Sequence, residues 1–384
     1  MTIKGKAYIG GIFEHPARKL GNDISQAELH AQCSKGALED AGLSFKDVDG
    51  YFGAGDIPGG LLSMVDYLNL TVRHLDQTYT GGSSYLYLVA HAAEAIAAGK
   101  CSVALISLAD FGRRGTAVRD RGEGIAEQPF EYPFGPVTVN LYAMAAQRHM
   151  YQYGTTSEQL AQVKVAASHH AQWNPNAVIR KVLTTEDVLN SPMVADPLHR
   201  MDCCVVTDGG GAVVVVSPEI ARQLKKPKVK LIGVGESSKD QMGGKIDLTY
   251  TGAVRSGPIA FAEAGVTPAD IKYASVYDSF TITVVETIED LGFCKKGEGG
   301  KFVCDGNLVS GVGKLPFNTD GGGMCNNHPG NKGGITKVIE AVRQLRGESH
   351  PKVQVKNCDI ALAHGTGGSL GTRHGSATLI MERE

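Results

Sequence analysis

The sequence lacks a long hydrophobic run. Its longest strongly apolar stretch, GGGAVVVVS at 209–217, is far too short to cross a bilayer. Long Lys/Arg runs are also missing, and the formal net charge of −2 gives no basic surface for nucleic acid. The eight cysteines, at 33, 101, 203, 204, 294, 304, 325 and 358, contain no C-x-x-C pair. That spacing excludes the usual zinc sites and fits no disulfide framework, so reduced thiols are expected, with Cys203 and Cys204 in the core. Neither a P-loop nor a G-x-G-x-x-G fingerprint occurs, which removes the common nucleotide-phosphate cradles. The first residues, MTIKGKAYIGGIFEH, have no apolar core or small-residue cleavage site of a secretory leader, so a cytoplasmic location is expected.

The chain does contain enough apolar material for a large core: 42% of its 384 residues are hydrophobic and 20% charged. It also contains itself twice. ALEDAGLSFKDVDGY (37–51) and AFAEAGVTPADIKY (260–273) each read as a helix end, a glycine terminator, a short turn, an aspartate and a strand. The stretch 81–110, a glycine-led helix running into an apolar strand, is matched in order by 333–365. Such alternation predicts an α/β fold with mostly parallel strands, helices on both faces, and two copies related by a pseudo-twofold.

Between the copies, residues 111–200 are richer in Tyr, Pro, His and Arg. They read as an inserted cap, with 1–110 plus 201–224 as the first half and 225–384 as the second. Within the cap, Thr155 and Glu158 have capping-box spacing, and His169 and His170 are expected at the surface.

Three segments of the second half, two of them glycine-rich, carry polar groups suited to a reacting carbonyl: VYDSF (276–280), NNHPGNKGG (326–334) and AHGTGG (363–368). In this order they resemble the signature loops of the thiolase superfamily, and the resemblance covers essentially the whole chain. It is nearest to the sterol-carrier-protein-type branch, which includes steroid side-chain aldolases and thiolase-like subunits of two-component acyltransferases. The resemblance implies a five-layered αβαβα duplication with a loop domain, usually a tight dimer. It makes Tyr277 an oxyanion-hole donor, His328 the group reaching the thioester oxygen, and His364 the acid/base in place of a cysteine. Asp278, Gly82, Asn327, Gly330, Gly367 and Gly368 become substrate-binding positions beside them.

The pattern breaks at the nucleophile. Thiolases acylate a cysteine at the start of the first half's central helix, and the matching segment here, YTGGSSYLY (79–87), has none. The position falls at Gly82 or Ser83. Ser83 and Ser84 are expected to cap the helix, with nucleophilic roles as the alternative. Cys325, three residues before His328, is the substitute thiol to consider.

Two reactions fit: a thiolase-like reverse Claisen cleavage of a β-keto acyl-CoA, and a retro-aldol cleavage of a β-hydroxyacyl-CoA without an acyl-enzyme. A non-catalytic CoA-binding subunit is the third reading. The implied partners are an acyl-CoA substrate, a second copy of the chain, and a small zinc-ribbon/OB-fold protein completing a heterotetramer. Coenzyme A enters as substrate or product, with no permanent cofactor and no metal.

Overall fold

The computed structural model describes residues 2–55, 57–114, 132–134, 137–240, 245–330, 333–371 and 373–384. Its strands are β1 (Tyr8–Glu14), β2 (Gly50–Gly53), β3 (His74–Gln77), β4 (Val103–Phe111), β5 (Met193–Ala195) and β6 (Leu198–His199). They continue with β7 (Asp208–Val216), β8 (Val229–Lys239), β9 (Tyr273–Val276), β10 (Ile360–Gly367) and β11 (His374–Arg383). The longer helices are α1 (Gln26–Ala41), α2 (Gly60–Tyr67), α3 (Ser84–Ala97) and α4 (Thr138–Tyr153). After them come α5 (Ser157–Ala171), α6 (Ala253–Ala264), α7 (Thr281–Asp290) and α8 (Gly334–Arg346). None of the described helices is long and apolar enough to cross a membrane.

The repeated segments fold alike. Helix α1 ends at Gly42 and α6 at Gly265, both at φ 72°, and each passes through a 3-10 turn into a strand, β2 or β9. Helix α3 leads into β4 just as α8 leads into β10.

Nine strands form one sheet in the order β3-β2-β4-β7-β1-β8-β11-β10-β9. The expectation of mostly parallel strands is corrected here. Only β2–β3, β2–β4 and β9–β10 are parallel; the central pairings are all antiparallel. The reason is the connections: β10 returns into β11 through a loop too short for a crossover helix, and such a link can only join antiparallel neighbours. The halves meet edge to edge, Tyr8 opposite Lys230 and Ile9 opposite Val229.

Side-chain alternation sorts the layers. On β7, Val213 and Val215 join the cluster containing α3 and α8, whereas Ala212, Val214 and Val216 pack with α1. On β10, Ala361 and Ala363 face α3 and α8, and Leu362 joins α6. Helices α3 and α8 are therefore sandwiched between the two halves of the sheet, with α1 outside one half and α6 outside the other. Being covered on both sides, α3 is apolar nearly all round, while α8 spends its charged residues on internal pairs.

Two local expectations in the cap shift. The capping box on α5 is formed by Thr156 and Gln159, one residue later than the predicted pair; Thr155 is buried and bonds His149 Nδ1 at 2.8 Å instead. His169 is exposed, but His170 is buried, its Nε2 accepting from the Ser310 backbone N–H at 2.9 Å.

Candidate active site

A cavity of about 410 Å³ opens where the start of α3, the start of α7 and the end of β10 converge beneath α4. Its reactive wall is Tyr277 and His328, each only 4% exposed. Tyr277 follows β9, its backbone N–H donating to His364 O at 2.9 Å. His328 closes the glycine-rich loop that precedes α8, and its N–H donates to Thr207 Oγ1 at 2.9 Å. The two side chains meet edge to face, with Tyr277 Oη 2.8 Å from His328 Nε2.

Burial sets their protonation. It pulls the His328 pKa down to about 4, so the imidazole is neutral at neutral pH. It also pushes the phenol of Tyr277 well above its ordinary value, so Tyr277 is a neutral donor. A neutral phenol donating to a neutral imidazole is a proton-relay unit: the phenol can pass its proton to Nε2 as it takes one from a substrate hydroxyl, which leaves the positive charge on the imidazole.

Of the other predicted residues, Gly82, Gly330, Gly367 and Gly368 line this cavity. Glycine is needed at 82, where a Cβ would overlap the Tyr277 ring and the Thr366 carbonyl, and at 367, where it would strike the Thr80 carbonyl.

Several expectations are corrected. His364 does not line the cavity: strand alternation puts it on the Leu362 face of β10, its Nδ1 2.9 Å from Thr378 Oγ1, which itself meets Ser256 of α6 at 2.9 Å. Burial lowers its pKa to about 3, and Nε2 has no partner among the described residues. Asp278 is an internal anchor, not a substrate contact. Its carboxylate accepts from Gly323 N, Met324 N and Lys337 Nζ, and Lys337 outweighs the effect of burial to hold its pKa below the usual range. Asn327 is likewise buried behind the cavity wall, bonded to Thr207 and Glu14.

The three candidate nucleophiles also lie off the cavity. Ser83 donates to Thr80 O at 2.9 Å and Ser84 to Gly81 O at 2.7 Å, so both hydroxyls brace the turn; Ser83, the residue before α3, makes no side-chain capping bond. Cys325 sits in the apolar cluster under α5 and α7, where burial raises its thiol to about 11.

Sequence reasoning missed Cys203, Cys204, Tyr142 and Thr366. All four line the cavity. The two thiols precede β7 on a loop and are not core strand residues; burial raises them to about 11 and 12, which keeps both protonated. Thr366 Oγ1 is buried with no partner among the described residues. Nothing in the local pattern around these residues marks them; tertiary placement alone brings them to the cavity.

A duplicated α/β sandwich with a buried phenol–imidazole pair at the start of its central helix defines a thiolase-type enzyme. The family model for the thiolase C-terminal domain matches residues 235–383. Acetyl-CoA acetyltransferase of Methanothermobacter thermautotrophicus is 35% identical, over 91% of this chain and 93% of its own. The 17-hydroxy-3-oxo-4-pregnene-20-carboxyl-CoA lyase of Mycobacterium tuberculosis is 34% identical, over 95% and 97%. Among solved structures, the Ltp2-ChsH2(DUF35) aldolase superposes with a TM-score of 0.90 at 32% identity, covering 99% of this chain and 98% of that one. The chain belongs to the thiolase superfamily.

Proposed function

We propose that this enzyme cleaves the Cα–Cβ bond of a β-hydroxyacyl-CoA by a retro-aldol route, without an acyl-enzyme. Thiolase-like C–C chemistry on an acyl-CoA is common to the relatives that carry the argument. The observation that favours the non-covalent route is a cavity in which a neutral Tyr277–His328 pair is intact and every lining thiol is held protonated.

In the proposed step the substrate β-hydroxyl gives its proton to Tyr277 Oη while the Tyr277 proton moves to His328 Nε2. The Cα–Cβ bond breaks, its electrons form the thioester enolate, and the alkoxide collapses to the carbonyl of the released fragment. The protonated pair then stabilises the enolate until Cα takes that proton back through Tyr277, which returns His328 to its neutral form and leaves a shortened acyl-CoA.

The reverse Claisen alternative is supported by the retained His-Pro-Gly segment at 328–330 and by the similarity to acetyl-CoA acetyltransferase, and without an acyl-enzyme it would proceed by direct attack of a thiol substrate. Both routes pass through the same enolate, so one assay reports on either: deuterium incorporation at Cα of acetyl-CoA or propionyl-CoA in D2O. No enzyme-dependent exchange with either thioester counts against the enolate reading. Mass spectrometry after incubation with acyl-CoA separates the routes, since an acyl adduct on Cys203, Cys204, Cys325, Ser83 or Ser84 would exclude the non-covalent one. A DUF35-type partner is part of this proposal, supported by the partner named in the aldolase structure above. Co-purification with such a protein tests it.

A further inference from the structure

Glu14 closes β1 and is separated by 313 positions from Asn327, yet the two are bonded. Its side chain is 4% exposed and accepts hydrogen bonds at both oxygens. Oε1 receives Arg18 Nη2 at 2.7 Å, Asn327 Nδ2 at 2.9 Å and Asn326 Nδ2 at 3.2 Å; Oε2 receives Arg343 at 3.0 Å. Asn327 Oδ1 accepts from Thr207 Oγ1 at 2.7 Å, and that hydroxyl oxygen accepts the His328 N–H at 2.9 Å.

The polarity of this chain is forced from its far end. A carboxylate only accepts, so the Asn327 NH2 must face Glu14 and its carbonyl must face Thr207. The Thr207 hydroxyl must then donate to Asn327, which leaves its lone pair for the His328 N–H. Thr207, Asn327 and His328 are buried, so water cannot replace a bond lost among them at ordinary cost; the Glu14 side chain, 4% exposed, lies at the edge of a second cavity. Arg18 and Arg343 outweigh the effect of burial and hold the Glu14 pKa down to about 2, so the acceptor remains an anion across the working range.

We infer that Glu14 is a positioning residue for His328, acting through Asn327 and Thr207 to fix the backbone from which the imidazole reaches Tyr277. This rests on the enolate-site reading only for its catalytic consequence. The clamp itself is a structural claim with its own readout.

The test uses Glu14→Gln and Thr207→Val in the full chain. Glutamine keeps the shape but removes the charge and the enforced polarity; valine cuts the relay while leaving the ion pairs of Glu14 in place. Each variant is expected to slow α-deuterium exchange of saturating propionyl-CoA by about 10-fold or more, with half-saturation within about threefold, as misplacement of a catalytic group does. In both, the backbone amides of 326–328 should exchange hydrogen faster by more than the measured loss of global stability accounts for, while those of β10 change only by that loss. The double variant should be no worse than the more impaired single, because both cut one chain.

Parent-like amide exchange at 326–328 in both variants overturns the inference, as does multiplication of the two rate losses in the double variant. If Glu14→Gln does not fold, Thr207→Val decides by the same two readouts. If the parent protein exchanges no α-deuterium, the enolate reading falls and the amide measurement alone decides the clamp.

Discussion

Replacing Tyr277 with Phe removes one oxygen and almost no volume, so its consequences are chemical. The missing hydroxyl is the group 2.8 Å from His328 Nε2 and lines the cavity. Loss of a single oxyanion donor typically costs about 10²–10³ in rate, or about 3–4 kcal/mol of transition-state stabilisation. A second effect follows from burial: His328 Nε2 loses its hydroxyl partner in a 4% exposed site, which costs about 1–3 kcal/mol of folding stability. The two effects are measured separately, by α-deuterium exchange of propionyl-CoA at saturation and by urea unfolding without ligand. His328→Ala should lose about as much rate, and the double variant little more than either single, because phenol and imidazole work as one relay. A Tyr277→Phe rate within about threefold of the parent, in protein shown to be folded, refutes the relay; so does full additivity in the double variant.

Other consequences are quick to check. Neutral His328 is the proton acceptor and its pKa lies near 4, so kcat/KM should be flat from pH 5 to 8 and fall as pH drops through about 4, when the imidazole is protonated. A fall beginning near 6.5 would mean that burial does not control the group. Asp278→Ala should destabilise the protein by about 3–5 kcal/mol, because Lys337, 1% exposed, loses the carboxylate 2.8 Å away; urea midpoints give the answer, and parent-like stability would deny the anchoring role. Cys204→Ser should retain exchange activity within about threefold, since its protonated thiol is not asked to attack; a loss of 10²-fold would return the thiol to the mechanism.

The fold was legible where chemistry is local. Glycine terminators after Ala41 and Ala264, and the aspartates in the turns behind them, act within a few residues and so appear directly in the string. Strand direction was not, because it depends on how the short 368–373 loop returns β10 into β11, and the alternation rule assumes helical crossovers. The same division holds in the site. Tyr277 and His328 were singled out from short loop motifs, and the fold brings their side chains together at the cavity. His364 was assigned from its neighbouring glycines, but which face of β10 it takes is set by register, and register put it under α6. Glu14 and Thr207 had no local mark that ties them to His328, since the bonds that link them to its loop span more than a hundred positions.

The missing cysteine has a steric explanation in this protein. Of the two positions where the family's nucleophile falls, Ser83 lies off the cavity and only Gly82 lines it. A Cβ on Gly82 would overlap Tyr277 Cζ and Oη as well as the Thr366 carbonyl. A thiol at 82 and a phenol at 277 thus compete for one space, and a smaller side chain at 277 would relieve the overlap with the ring, leaving only that with the Thr366 carbonyl. Gly82→Cys alone should then cost about 1–3 kcal/mol from overpacking, read as a lower urea midpoint, and should abolish exchange by displacing the phenol. Adding Tyr277→Asn should recover about 1 kcal/mol or more of that stability, a favourable coupling between the two substitutions. If the two losses simply add, the phenol and the thiol do not share space, and the cysteine is absent for a reason unconnected with Tyr277.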